Sequence, residues 1–256
     1  MTEPSRPGVR AALSNRTILM TLGVFAFIAA AATGAALGTQ GTVRVDATDK
    51  AAIEQIVHDY ILEHPEIIPQ AVEKLQAKRM AGTIDASRKT IETPYAGAWE
   101  GAADGDVTVV EFFDYACGYC RASLPDLARL VGEDKKIKVV YRELPILSDA
   151  SIDAARVSLL AAEKNQYMPY HRALYAAGKV TRETILAAAA KVGIDAKAAQ
   201  AAIASTKYNE EIQSNIGLAQ KLQASGTPTF VIGNQVLNGA VGYDALKTAV
   251  TAARGK

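Results

Sequence analysis

Two cysteines are the side chains whose type and spacing point most directly to chemistry. They are the only two cysteines in 256 residues, and they occur together as Cys117-Gly118-Tyr119-Cys120. On the first turn of a helix, residues three apart lie on one face, and their sulfur atoms can come within disulfide distance. The pair can therefore cycle between a dithiol and a disulfide.

The surrounding sequence places the pair where a strand gives way to a helix. Val107–Phe113 is β-branched and aromatic, as a buried strand is, and leucines recur at helical spacing after Cys120. A second strand is predicted over Ile137–Tyr141, so the segment has the pattern of a strand-helix-strand unit with parallel strands. Free amide groups and the positive end of the helix dipole favour an anion at Cys117, which makes it the nucleophile. Cys120, one turn deeper, is expected to be shielded and to act as the resolving thiol.

Two inert roles for the cysteines, a structural disulfide and a zinc site, fit the sequence less well than a redox role does. A disulfide across so short a loop would stabilise the chain by only about 2 kcal/mol. A zinc site would need two further ligands at suitable spacing, but the three histidines, His58, His64 and His171, are scattered. His171 is expected to be a packed or capping residue. We therefore expect redox chemistry by the two sulfurs alone, with no metal and no cofactor.

The rest of the chain predicts an α/β fold with a block of helices inserted into it. Residues 150–224 are rich in Ala, Lys, Glu and Leu, and their composition predicts helices. Strand patterns return only at Thr229–Ile232 and Val236–Leu237. A closing helix is predicted over Tyr243–Ala253.

At these residues the chain resembles the DsbA-like branch of the thioredoxin superfamily, in which helices are inserted into a thioredoxin fold. The resemblance rests on the run VVEFFDYACGYC, on the helix that follows it and on the distant GTPTF, and it covers roughly residues 90–255. It implies that Cys117 is the attacking thiol and that Cys120 is its partner. It also implies that the dipeptide between them, Gly118 and Tyr119, tunes the redox potential.

The resemblance implies three further residues of the site. Glu111, six residues before Cys117, matches a buried acid that assists proton transfer in the family. An acid within an apolar strand has a raised pKa and can take the proton of Cys120, and a partly exposed, salt-bridged glutamate is the alternative. Pro228 matches a cis-proline that faces the cysteine pair, with an ordinary trans turn as the alternative. Thr227 before it should present its backbone to an extended substrate.

The activity implied by the resemblance is that of a protein thiol:disulfide oxidoreductase, and we expect isomerase or reductase character. The Gly-Tyr dipeptide and the threonine before the proline resemble the disulfide isomerases, whereas the strongest oxidases commonly carry Pro-His and valine there. A dithiol oxidase and a non-catalytic envelope chaperone are the alternatives. The substrates would be cysteine-containing exported proteins, and a membrane redox partner would reset the dithiol. A formal net charge of +1, without runs of like charge, argues against nucleic acid as a partner.

The beginning of the chain predicts an export signal. Thr17–Leu37 contains no charged side chain, and Arg6, Arg10 and Arg16 precede it. Such a segment either spans the inner membrane as an anchor or is removed as a signal peptide, and a buried core helix is the remaining alternative. We expect residues 1–45 to hold this segment and a short linker, and the remainder to be exported to the periplasm or cell envelope.

Residues 46–81 predict a helical extension. Apolar side chains recur at helical spacing over 49–80, with a break at His64-Pro65. Such an extension resembles those of the suppressor-of-copper-sensitivity thioredoxin-like proteins and the Com1-type envelope proteins, some of which oligomerise through it. The apolar stripe either packs on its own domain or forms a homodimer or homotrimer.

The segment that follows has the composition of a connector. Residues 82–101 are expected to be a polar linker that holds the helices away from the rest. Residues 102–256 are then expected to form the DsbA-like thioredoxin domain, with its helical insert at about 150–224. The whole chain thus predicts an α/β thioredoxin fold with an inserted helical subdomain, preceded by an N-terminal helical extension.

Overall fold

The computed structural model describes residues 46–255, which divide into two compact units after Pro65. In the first unit, helix α1 spans Ala47–Glu63. The Asp46 carboxylate caps its start, where it accepts two backbone N–H groups at 2.8 and 2.9 Å. The helix ends at His64, immediately before Pro65, where the sequence predicts the break.

The predicted export segment, Thr17–Leu37, lies outside the described residues. Among the helices between residues 46 and 255, none combines the length and the apolar character that crossing a membrane requires. The signal or anchor therefore stays a prediction.

Helix α2 spans Ile67–Glu92 and continues through much of the segment expected to be a linker. Ile84 and Ile91 of this helix are fully buried and pack with apolar residues of the sheet. Seven residues are close to two helical turns, so the two side chains lie on one face. The prediction of a polar linker over 82–101 is therefore wrong for residues 82–92, because Ile84 and Ile91 pack this part of the helix against the core.

The described chain contains one sheet, with strand order β1-β3-β2-β4-β5. Strands β2 and β3 are parallel, as predicted, and the other neighbouring pairs are antiparallel. Strand β1 falls within the segment expected to be a linker, and its three residues are too few to form a recognisable pattern. The strands are β1 Trp99–Gly101, β2 Val107–Phe113, β3 Ile137–Glu143, β4 Thr229–Ile232 and β5 Gln235–Asn238.

Helices surround this sheet in the order that the sequence predicts. Helix α3, Gly118–Glu133, connects β2 to β3, and helix α9, Tyr243–Arg254, closes the domain. The helices between β3 and β4 occupy the block expected to be helical. They are α4 Asp149–Glu163, α5 Tyr167–Ala176, α6 Arg182–Lys191, α7 Ala196–Ala204 and α8 Asn209–Lys221.

Alternation of side chains along the strands divides the core between the two faces of the sheet. Val109 and Phe113 pack on the face that α3, α9 and most inserted helices cover. Val110 and Phe112 pack on the opposite face, with residues of α2 and α8. Because Glu111 alternates with Val110 and Phe112, its side chain belongs to the face on which α3 begins. The α/β class is confirmed, and the fold brings Glu111 to the face that carries the cysteines.

Candidate active site

The cysteine pair begins helix α3. Cys117 is the N-cap residue, in extended conformation, and its Sγ accepts the backbone N–H of Cys120 at 3.4 Å. Both cysteines are free, and both are buried, Cys117 with 6% and Cys120 with 1% of its surface exposed. Tyr119 between them is 72% exposed. Cys120 is therefore shielded, as the sequence predicts, and Cys117 is only slightly more exposed.

Asp114, which sequence analysis did not single out, shapes the turn before Cys117. Its carboxylate accepts the backbone N–H of Ala116 at 2.7 Å and those of Ile146 and Leu147 at 2.9 and 3.0 Å. Its carbonyl oxygen accepts the N–H of Cys117 at 3.0 Å. An aspartate whose side chain bonds the backbone two residues on is a known turn signature, so the contact with Ala116 could have been predicted from the sequence. The contacts with Ile146 and Leu147 could not.

A second loop faces the attacking sulfur. The Thr227–Pro228 peptide bond is cis, the isomer that the resemblance implies. The thiol of Cys117 donates to the carbonyl oxygen of Thr227 at 3.1 Å. The backbone of Thr227 therefore lies beside the sulfur, 110 residues away in sequence.

Glu111 is buried beneath the pair, with 1% of its surface exposed. Neither carboxyl oxygen has a hydrogen-bond partner among the described residues. Burial, and then the negative charges of Cys117 and Glu100, raise the pKa of Glu111 to about 8. The alternative of a partly exposed, salt-bridged glutamate is therefore wrong, and the carboxyl group is mostly protonated at neutral pH.

The same buried surroundings also change the pKa of Cys120. Burial, and then the charge of Glu111, raise the pKa of the Cys120 thiol. Cys120 is therefore a thiol at neutral pH and needs a base before it can attack a disulfide.

His171 lies in a cluster of aromatic rings rather than at the surface. Its side chain is fully buried, its Nδ1 lies 3.1 Å from the Tyr115 hydroxyl, and its ring centroid lies 4.9 Å from that of Phe113. Burial, and then the charge of Arg172, lower its pKa to about 3. The prediction of a packed residue is confirmed. Within residues 46–255, no cluster of His, Cys, Asp and Glu is suited to hold a metal ion.

The fold and the dithiol together define a thioredoxin-fold protein whose cysteine pair begins a helix opposite a cis-proline. The model of the DSBA-like thioredoxin domain family matches residues 108–251, so the chain belongs to the DsbA-like thioredoxin family. The model of the copper resistance protein ScsC N-terminal domain matches residues 49–81. Both parts of the resemblance are therefore confirmed.

Solved structures show the same likeness. A thioredoxin-like oxidoreductase from Silicibacter pomeroyi is 38% identical, with a TM-score of 0.61 over 65% of this chain and 96% of that one. The thiol-disulfide exchange protein alpha-DsbA2 from Wolbachia pipientis is 27% identical, with a TM-score of 0.63 over 70% and 97%. A linker-deletion variant of Proteus mirabilis ScsC is 24% identical, with a TM-score of 0.63 over 84% and 99%, and this likeness shows the fold alone.

Curated relatives are larger than this chain. The Na(+)/H(+) antiporter NhaA 1 of Salinispora arenicola is 28% identical over 156 residues, which are 60% of this chain and 24% of that protein. The chain spans about a quarter of the length of the curated relatives it matches.

Proposed function

We propose that the chain is an exported protein thiol:disulfide oxidoreductase with isomerase or reductase character. The observation that carries the proposal is the unequal environment of the two sulfurs. Cys117 lies between the N–H of Cys120 and the carbonyl of Thr227, whereas Cys120 is a buried thiol near the carboxyl group of Glu111.

Cys117 carries out the first step. Its sulfur lies at the N-terminal end of α3 and accepts the N–H of Cys120. As a thiolate, Cys117 attacks one sulfur of a substrate disulfide and forms a mixed disulfide. The other substrate sulfur leaves with the bonding electron pair and takes a proton from solvent.

Cys120 carries out the second step when the enzyme reduces its substrate. Ionised Glu111 accepts the proton of the Cys120 thiol, and the new thiolate attacks the sulfur of Cys117. The Cys117–Cys120 disulfide forms, and the substrate sulfur leaves as a thiolate. In isomerisation, another thiolate of the substrate attacks the mixed disulfide instead, and the two cysteines stay reduced.

Thr227 and Pro228 form the substrate-binding edge in this proposal. An extended polypeptide lying along the backbone of Thr227 would bring its sulfur to Cys117, because the Thr227 carbonyl is 3.1 Å from that sulfur. A side chain at Gly118 would meet no atom within 4 Å of its Cβ, and the exposed ring of Tyr119 offers an apolar contact.

The substrates proposed are cysteine-containing exported proteins in the periplasm or cell envelope. A membrane redox partner would return the pair to the dithiol after each reduction. The Gly-Tyr dipeptide and the threonine before Pro228 support isomerase or reductase character. The exposed apolar side chains on α1 and on the first half of α2 support assembly into a homodimer or homotrimer through residues 49–80.

Replacing Cys117 by Ser tests the activity. We expect Cys117→Ser to abolish both insulin reduction and the refolding of scrambled ribonuclease. Cys120→Ser should instead accumulate mixed disulfides on Cys117, which mass spectrometry detects. Ser214→Ala, an exposed change on α8, is the matched control and should leave both activities unchanged.

Three outcomes separate the alternatives. Unchanged activity in Cys117→Ser would contradict the role of the dithiol. A wild-type protein that prevents aggregation but catalyses neither reaction would be a chaperone. A protein that introduces disulfides into reduced ribonuclease but cannot rearrange wrong ones would be a dithiol oxidase.

A further inference from the structure

Asp114 follows strand β2 directly, and its side chain bonds to the segment that follows β3. Backbone pairing of the two strands extends to the N–H of Leu144, which donates to the carbonyl oxygen of Phe113 at 2.8 Å. Beyond that point, the N–H groups of Ile146 and Leu147 donate to Oδ2 of Asp114 at 2.9 and 3.0 Å. The carboxylate therefore takes the place of a strand partner for the loop between β3 and α4.

The other oxygen of Asp114 bonds to the turn that presents the attacking cysteine. Oδ1 accepts the N–H of Ala116 at 2.7 Å, and the carbonyl oxygen of Asp114 accepts the N–H of Cys117 at 3.0 Å. The hydroxyl group of Tyr175 on α5 donates to the same carbonyl oxygen at 3.0 Å. Only 1% of Asp114 is exposed, so these bonds lie away from solvent. One buried side chain thus joins the loop to the turn, with one oxygen for each.

The loop and the turn have few apolar side chains to hold them together. Ile146 and Leu147 are 50% and 53% exposed, although both side chains are large and apolar. In the turn and at the start of α3, Ala116, Gly118 and Tyr119 are exposed as well. Because these side chains lie in solvent, the shared carboxylate is a main attachment between the two segments.

We propose that Asp114 is a positioning residue that aligns Cys117 with a substrate bound along Thr227. The proposal rests on the proposed function, in which an extended polypeptide brings its disulfide to Cys117. The sulfur of Cys117 lies 3.1 Å from the Thr227 carbonyl oxygen, so a small shift of the turn changes its direction of attack. A misplacement of about 1 Å can cost up to about a hundredfold in rate. The carboxylate of Asp114 acts on this sulfur through the backbone of the turn.

A symmetrical disulfide of a short, extended peptide is a probe for the alignment. The Cys117 thiolate attacks one peptide sulfur and forms a mixed disulfide, and the other peptide leaves as a thiolate that takes a proton from water. All proteins compared carry Cys120→Ser, so the mixed disulfide persists and mass spectrometry measures its rate of formation. Iodoacetamide alkylates the same sulfur without lying along Thr227, so it measures the reactivity of Cys117 apart from the alignment.

Asp114→Asn tests the bridge because it keeps the size of the side chain but leaves one acceptor oxygen. The amide can bond either the turn or the loop, and its NH2 group then faces the N–H donors of the other segment. We expect attack on the peptide disulfide to slow on the order of tenfold, with the rate of alkylation unchanged. A purely structural role would lower the urea midpoint and leave both rates unchanged, because the rates are measured without denaturant.

Asp195→Asn is the matched control. Asp195 caps helix α7 and accepts one backbone N–H, that of Ala198, at 3.1 Å. A single amide oxygen can accept that bond, so this substitution should leave both rates and the urea midpoint unchanged.

Asp114→Ser is the second variant, which decides the question if Asp114→Asn does not fold. Its hydroxyl group can still accept the N–H of Ala116, as serine does in turns, but it is too short to reach the loop. The smaller side chain leaves room for water at the N–H groups of Ile146 and Leu147. We expect the same slowing of attack on the peptide and the same unchanged alkylation.

The outcomes distinguish an error about Asp114 from an error about the function. Attack on the peptide at the unsubstituted rate by a folded Asp114→Asn or Asp114→Ser protein would overturn the positioning role. An equal loss in attack and in alkylation would overturn it too, because Asp114 would then change the reactivity of the sulfur and not its alignment. If the protein with Asp114 intact attacks no peptide disulfide, the proposed function and the positioning role are both wrong.

Discussion

The carboxyl group of Glu111 connects the chemistry of the site to the stability of the fold. Its pKa is about 8 in the folded chain, compared with 4.5 for an ordinary glutamate, and burial is the main cause. Between these two values the folded protein holds a proton that the unfolded chain has released. Stability therefore falls as the pH rises through this interval, and the loss is complete above the folded pKa.

Glu111→Gln should remove this pH dependence. With both cysteines reduced, we expect wild type to lose on the order of 4 kcal/mol, relative to the variant, between about pH 4.5 and about pH 8. Urea unfolding at several pH values measures the difference. Parallel curves for the two proteins would mean that Glu111 is hydrated in solution and that its buried, protonated state is wrong.

Some residues of the site have partners close by in the sequence, and others have partners far away in it. The positions of Cys117 and Cys120 could be predicted because both lie at one strand-helix junction, whereas the resemblance was needed to single out Glu111. The contact between Tyr141 and Glu100 could not be predicted, because it depends on the register of β1 against β3. For Pro228, the resemblance predicted the cis peptide bond, which residue spacing alone does not indicate.

At the scale of elements, helix α2 is the largest departure from expectation. Its later half carries few apolar residues, so composition alone indicates a linker. Arg142 of β3 also bonds to the C-terminal end of α2. It donates to the carbonyl oxygens of Ile91 at 3.1 Å and Thr93 at 2.6 Å. A buried arginine bonded to the last carbonyls of a helix is a tertiary contact that no local pattern reports.

Ile84→Ala tests whether α2 belongs to the core. Ile84 is fully buried against the sheet, so its truncation should lower the free energy of unfolding by about 2–5 kcal/mol. Gln76→Ala, at an exposed position of the same helix, should change it by less than about 0.5 kcal/mol. Chemical denaturation followed by circular dichroism gives both values. Equal effects of the two substitutions on the free energy of unfolding would show that α2 is not part of the core.

At the scale of the whole molecule, the described chain presents two kinds of surface. The thioredoxin domain buries most of its large apolar side chains, whereas residues 49–80 leave many of theirs in solvent. Ile56 on α1 is 66% exposed, and Leu75 on α2 is 47% exposed. Apolar surface concentrated in one segment is typical of a region that meets a partner.

We therefore expect residues 46–256 to form a homodimer or homotrimer through residues 49–80. Ile56→Glu combined with Leu75→Glu should produce monomers, because each change would place a charge in the apolar contact. Glu54→Gln combined with Glu73→Gln, at exposed polar positions of the same two helices, is the matched control and should leave the assembly intact. Light scattering across a concentration series measures the mass. A monomeric mass for the unsubstituted chain at every concentration would contradict the assembly, and the apolar side chains of α1 and α2 would then need a different partner.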